Sequence, residues 1–176
     1  MTESGKERHA RDDTSFIAFY DVAVGEIFRY FNRATAGDRS LAEDLTQETF
    51  MAAVKAHKHG QVDAFTMPWI ITVARNKLID HYRKQSREDR KLALVQNSKP
   101  VEDFTFSLQD LRTSDVLELL RMVPDRYRLV LVLRYIDDLP VADIARLIGR
   151  NLGATQSLLV RARQSLEQTL SEVRDA

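Results

Sequence analysis

The chain reads as all-α: two small helical domains joined by a flexible linker, the second of them containing a helix-turn-helix. Three observations predict this. Apolar residues recur at spacings of three and four along most of the chain, and no long run alternates apolar and polar with period two. Glycine and proline are scarce, six and four among 176 residues, so strong breaks are few. One polar stretch, residues 85–112, interrupts the periodicity and divides the chain in two.

Composition narrows the class. Hydrophobic residues make up 44% and charged residues 30%, which suits a globular domain rather than a disordered chain. Apolar runs such as "LVLVL" at 129–133 fall far short of the roughly 20 residues that cross a bilayer. The opening "MTESGKERHARDDTSF" has no apolar core to act as a secretory signal, and cysteine is absent. A cytoplasmic protein without membrane insertion, metal or cofactor is therefore expected. Lys plus Arg equals Asp plus Glu at 26 each, so any affinity for nucleic acid must come from how the charges are distributed. Acids gather in "GDRSLAEDLTQE" and "VEDF", bases in "RNKLIDHYRKQSREDRK".

Taken in order, residues 1–15 form a polar tail of no assigned role, and 16–84 form the first domain. "FIAFYDVAVGEIFRYFNRA" is an apolar-rich helix ending near Gly37. The next helix starts with Ser40 as N-cap and Glu43 closing a capping box, and Phe50, Ala53, Val54 and His57 keep helical spacing. Gly60 breaks the pattern. A helix over 67–84 follows with Pro68 in its first turn, where the missing N–H costs little; Ile71, Ala74, Leu78 and Tyr82 mark its buried stripe. The linker, with Pro100 and a short helix near Leu92, gives way to the second domain at 113–176. There Ser114, Pro124, Pro140 and Gly153 each introduce a helix.

The segment "VADIARLIGRNLGATQSLLVRAR" (141–163) has no acid between Asp143 and Glu167 but holds Arg146, Arg150, Arg161 and Arg163. Gly149 is placed to turn the chain between two helices, Ala145 permits close packing, and Asn151 suits an N-cap. Leu158, Ala162 and Leu166 supply an inward stripe. This is the pattern of a helix-turn-helix. Its second helix presents Thr155, Gln156, Ser157, Val160 and Arg161: glutamine can bond adenine, arginine guanine, and valine a thymine methyl. Thr155 stands where such motifs hold a bulkier aliphatic. Arg146, Arg150 and Arg163 suit phosphates, which an acid would repel.

"DLTQETF" (44–50), "PWIITVARNKLIDHYR" (68–83) and "LPVADIARLIGRNLGATQSLLVRAR" (139–163) lie in the order and at the spacing of one family. Over 16–170 the chain resembles a bacterial extracytoplasmic-function (ECF) RNA polymerase sigma factor, and it is expected to comprise that family's two domains alone. The resemblance implies that 16–84 is sigma region 2 and 113–176 is sigma region 4. Thr72, Asn76, Asp80 and Arg83 fall along one polar face of the helix from Met67, with Arg75 and Lys77 flanking, and such a face suits bases and phosphates. The resemblance implies that this helix binds the minus-ten promoter element. The preceding loop would receive an extruded base on Phe65, Gln61 and Asp63, since unstacked bases need aromatic surfaces and edge hydrogen bonds. Trp69 is expected in the core.

The same resemblance implies that the "DLTQETF" helix docks on a coiled coil of the largest subunit of core RNA polymerase. Asp44, Gln47 and Glu48 are then the exposed contacts, with Leu45 and Phe50 turned to the core. The linker would thread past the RNA exit path, the helix-turn-helix would bind the minus-thirty-five element, and an anti-sigma factor would act as regulator. Tethering two weak DNA contacts raises their joint affinity. Melting needs no nucleotide hydrolysis, because binding the open strand more tightly than the duplex shifts the equilibrium.

Two other readings compete. A helix-turn-helix regulator that is not a polymerase subunit would explain 141–163 but not the two N-terminal motifs. A metal-dependent hydrolase would use His9, His57, His59 and His81 with Asp80. However, "DH" reverses the usual order, and His57 and His59, two apart, fall on different helix faces.

Overall fold

The computed structural model describes residues 3–59, 65–89 and 113–174, with side chains over 16–59, 65–85 and 118–172. Every regular element among them is helical. In order they are α1 (Glu3–Ala34), α2 (Arg39–Lys58), α3 (Met67–Asp89), α4 (Thr113–Met122) and α5 (Asp125–Leu131), then a π-helical turn (Val132–Ile136), α6 (Val141–Ile148) and α7 (Leu152–Arg174). Helix α1 begins at Glu3, so its backbone includes most of the polar tail. Most of the linker, and the loop residues Gln61 and Asp63, lie outside the described residues.

The chain divides into two compact units, Met1–Asn32 with Arg39–Lys77, and Arg33–Asp38 with Leu78–Ala176. In the first unit the core is Ala23, Ile27 and Phe31 of α1, Ala42, Leu45, Phe50 and Ala53 of α2, and Ile70 and Ala74 of α3. The spacings follow the helical repeat, so each helix turns one stripe inward. Two threonines join this core. Thr46 and Thr49 are buried because each hydroxyl donates within its own helix, to the carbonyls of Ala42 (2.6 Å) and Leu45 (2.7 Å), leaving no unmet polar group. Helix α2 starts at Arg39, so Ser40 lies inside its first turn and does not cap it. Glu43 instead pairs with Arg39 at 2.8 Å.

On α3 the buried residue of the first turn is Ile70, while Ile71 is only half-buried. The stripe is Ile70, Ala74, Leu78 and Tyr82, one position off the sequence expectation at its start. In the second unit the hydroxyl of Tyr82 donates to the carbonyl of Ala34 at 3.0 Å. Burial pushes the Tyr82 phenol up to about 12, against the opposing pull of the nearby Arg128 guanidinium.

The rest of the second unit is built on α7, which packs against α4, α5 and α6. Pro124 and Pro140 stand at the N-caps of α5 and α6, one position before the first helical residue, and their carbonyls accept the Tyr127 and Asp143 N–H groups, each at 2.9 Å. Beyond α5 the chain slackens into the π-helical turn, in which Asp137 N–H donates to Val132 O at 3.0 Å. The core here is Leu120, Val123 and the run Leu129–Leu133, with Ile144 and Ala145 of α6 and Leu159, Ala162 and Leu166 of α7. Leu158, expected inward, is half-buried; the α7 stripe is Thr155, Leu159, Ala162, Leu166 and Thr169.

Candidate nucleic-acid interface

The turn from α6 to α7 forms as its residue types require. Gly149 sits in the left-handed region at φ 68° and ψ 39°. Its N–H donates to Arg146 O at 3.3 Å, and the Arg150 N–H reaches Ala145 O at 3.0 Å, so the last carbonyls of α6 are met. Asn151 then caps α7, its Oδ1 accepting the Ala154 N–H at 2.8 Å. A left-handed glycine followed two residues later by a cap fixes the angle at which α7 leaves α6. Helix-turn-helix geometry is the result.

Two of the residues expected on the outer face of α7 are not there. Thr155 has 0% exposure, its hydroxyl donating to Asn151 O at 3.0 Å, and Val160 has 7%. Each faces the core formed with α4–α6, so neither can reach a base, and this corrects the sequence expectation for both. Gln156, Arg150 and Leu152 are exposed, and Ser157, Arg161 and Arg163 are half-buried. Arg161 donates to Ser157 O at 3.3 Å, which holds the guanidinium along the helix. Arg146 is exposed and ion-paired with Asp143, so its charge is partly met inside α6.

On α3, Thr72, Asn76, Asp80 and Arg83 are all exposed at spacings of four, four and three, opposite the buried stripe. They form one polar face, as expected, with Arg75 and Lys77 half-buried beside it. Arg83 pairs with Asp80 at 3.6 Å and also donates to the Leu147 carbonyl within the second unit. Phe65, just ahead of α3, is half-buried among Phe16 (5.1 Å between centroids), Phe19 (5.6 Å), His57 (5.0 Å) and Trp69 (6.1 Å). Trp69 is half-buried at the edge of this cluster, rather than fully enclosed.

On α2, Asp44, Gln47 and Glu48 are exposed while Leu45 and Phe50 are in the core. Sequence reasoning missed the groove beside them. A cavity of about 920 Å³ opens between α1 and α2, lined by Phe16, Tyr20, Val24 and Phe28 on one side and Gln47 and Met51 on the other. Its sequence signal is Met51, apolar and one turn on from Gln47, yet 64% exposed. The three histidines with described side chains do not gather: His59 bonds Lys55 O, His57 packs on Phe65, and His81 packs on Tyr82, while the His9 side chain lies outside the described residues. Among the described residues no three metal-ligating side chains converge.

Fold and surface together define a two-module helical protein with a helix-turn-helix at its C-terminal end. Residues 16–88 match the family model "Sigma-70 region 2" and residues 113–166 match "Sigma-70, region 4". The chain is 33% identical over 153 residues to the ECF RNA polymerase sigma factor SigM of Bacillus subtilis, covering 84% of this chain and 90% of SigM. It is 30% identical over 164 residues to SigL of Mycobacterium tuberculosis, covering 89% of each. The fold is shared with the sigma factor RpoE of Bartonella quintana, solved in complex with the anti-sigma factor NepR. That likeness has a TM-score of 0.51 and 22% identity, over 89% of this chain and 96% of the other.

The chain therefore belongs to the ECF sigma factor family: it is a sigma factor, a subunit that directs RNA polymerase to begin transcription at promoters. This family is not one of enzymes. The region 2 match also accounts for the N-terminal motifs that a free-standing regulator leaves unexplained. No described helix is long and apolar enough to cross a membrane.

Proposed function

We propose that this sigma factor meets core RNA polymerase through Asp44, Gln47 and Glu48 together with the adjoining apolar groove. A coiled coil of the largest polymerase subunit would fill such a groove with its own apolar side chains, while the three polar residues set its register. The exposed α3 face of Thr72, Asn76, Asp80 and Arg83, with Arg75, binds the minus-ten element. Gln156, Ser157 and Arg161 read the minus-thirty-five element in the major groove, and Arg150 and Arg163 hold its phosphates.

The α6–α7 turn carries this reading. A left-handed Gly149 and a capping Asn151 present the N-terminal end of α7 outward, the geometry by which recognition helices enter a major groove. The protein acts in the cytoplasm and performs no catalysis. An anti-sigma factor holds it inactive, as the RpoE–NepR complex suggests by analogy.

In vitro transcription with core polymerase on a genomic library tests the whole. Specific run-off products sharing two upstream elements are expected. Their absence, with no inhibitor present, would refute the assignment.

A further inference from the structure

We infer that Leu152, the first residue of α7, reads a thymine methyl group in the upstream promoter element. The inference rests on the reading of α7 as the recognition helix. Burial removes Val160 from the outer face, and with it the apolar base contact that the sequence offered. Leu152 replaces it. It is 49% exposed, one of five large apolar side chains at least so exposed among the described residues, and it heads the helix whose N-terminal end enters the groove. It stands four residues before the exposed Gln156, hence one turn away on the same face. A leucine next to a glutamine suits a thymine next to an adenine: a methyl to cover and a paired donor and acceptor to bond.

Gly153 supports this. It is exposed and helical, and a Cβ placed there would meet only Asn151 Oδ1 at 3.8 Å, an ordinary contact. Among the described residues neither backbone conformation nor packing calls for glycine, which weakens helices relative to alanine. What remains is room outside the chain, where a missing side chain lets α7 lie close against the base edges beside Leu152.

The test uses holoenzyme reconstituted from the full chain and core polymerase, on a promoter that it initiates. Each thymine of the upstream element is replaced in turn by deoxyuridine, which lacks only the methyl. At one position the wild type should lose about fourfold in promoter use, the factor for burying one methyl-sized group. Leu152→Ala should use thymine and deoxyuridine equally there and discriminate as before elsewhere. Gly153→Ala should unfold no earlier than the wild type, yet use every promoter variant less well.

Unchanged discrimination in Leu152→Ala overturns the inference, as does a wild type indifferent to methyl loss at every thymine. A Gly153→Ala holoenzyme as active as the wild type removes the close approach. Failure of the underlying reading looks different, because Gln156→Ala and Arg161→Ala would then leave upstream preference untouched.

Discussion

The ammonium of Lys77 on α3 lies 3.3 Å from the carboxylate of Glu48 on α2, joining the helix proposed to face polymerase to the one proposed to face the minus-ten element. Both side chains are partly exposed, so the pair contributes no more than about 1 kcal/mol to folding. It does occupy Glu48. The three polar residues of α2 are therefore unequal: replacing Asp44 and Gln47 with alanine should weaken capture of core polymerase several-fold, whereas Glu48→Gln should cost less. Binding isotherms with labelled core enzyme decide. Equal affinity in the Asp44/Gln47 double variant and the wild type would take both residues out of the interface.

The recognition helix depends on its cap. Asn151→Ala deletes the acceptor of the Ala154 N–H and should lower unfolding stability by about 0.5–2 kcal/mol. Asn151→Asp should retain most of it, since aspartate caps equally well. Urea unfolding followed by circular dichroism measures the difference. Gly149→Ala, forced into φ 68°, should cost about 1–2 kcal/mol by the same measurement.

Base readers and phosphate holders on α7 separate by the pattern of loss. Gln156→Ala and Arg161→Ala should each cost about 1–3 kcal/mol on one base pair of the upstream element and little elsewhere. Arg150→Ala should weaken every promoter variant alike and reduce the salt slope of binding by about 1. Val160→Ala should do neither; as a core truncation it should lower stability by about 1–3 kcal/mol with sequence preference intact. A changed preference in Val160→Ala would contradict its burial.

Tyr82 gives the fold an alkaline limit. Its folded value of about 12 lies above the ordinary 10.0, so between the two the native state holds a proton that the unfolded chain releases. Stability from this group is thus fully present below pH 10 and is lost as pH rises through 10 toward 12. Tyr82→Phe should flatten that part of the stability profile. It should also cost about 0.5–1.5 kcal/mol near neutrality, from the lost bond to Ala34 O. Chemical denaturation at a series of pH values tests both; a wild-type profile that is level to pH 12 would refute the first.

Much of the fold was legible because its signals are local. Pro124, Pro140, Gly149 and Asn151 act on the backbone within a few residues of themselves, and each stands at the helix boundary that its chemistry predicts. Ser40 did not, since α2 starts one residue earlier, at Arg39, and helix ends shift by a residue or two where no bond pins them. The polar face of Thr72, Asn76, Asp80 and Arg83 was legible for the same reason, as periodicity alone aligns residues on one side of a helix.

Choices between adjacent apolar residues were not legible. "IITVA" opens on two neighbouring aliphatics and "SLLVR" holds three in a row; α3 buries Ile70 over Ile71, while α7 buries Leu159 and Val160 over Leu158. A one-residue shift rotates a helix face by about 100°, enough to carry Thr155 and Val160 from an outward face into the core. The chain's own order of residue types thus determined that there would be helices, where several of them would begin or stop, and that the C-terminal module would hold a helix-turn-helix with no acid between Asp143 and Glu167. Which side of α7 turned to solvent, and that the groove between α1 and α2 would open beside Gln47, was decided only when neighbouring helices claimed their contacts. Burial belongs to a packed set of helices, and no single helix carries that information.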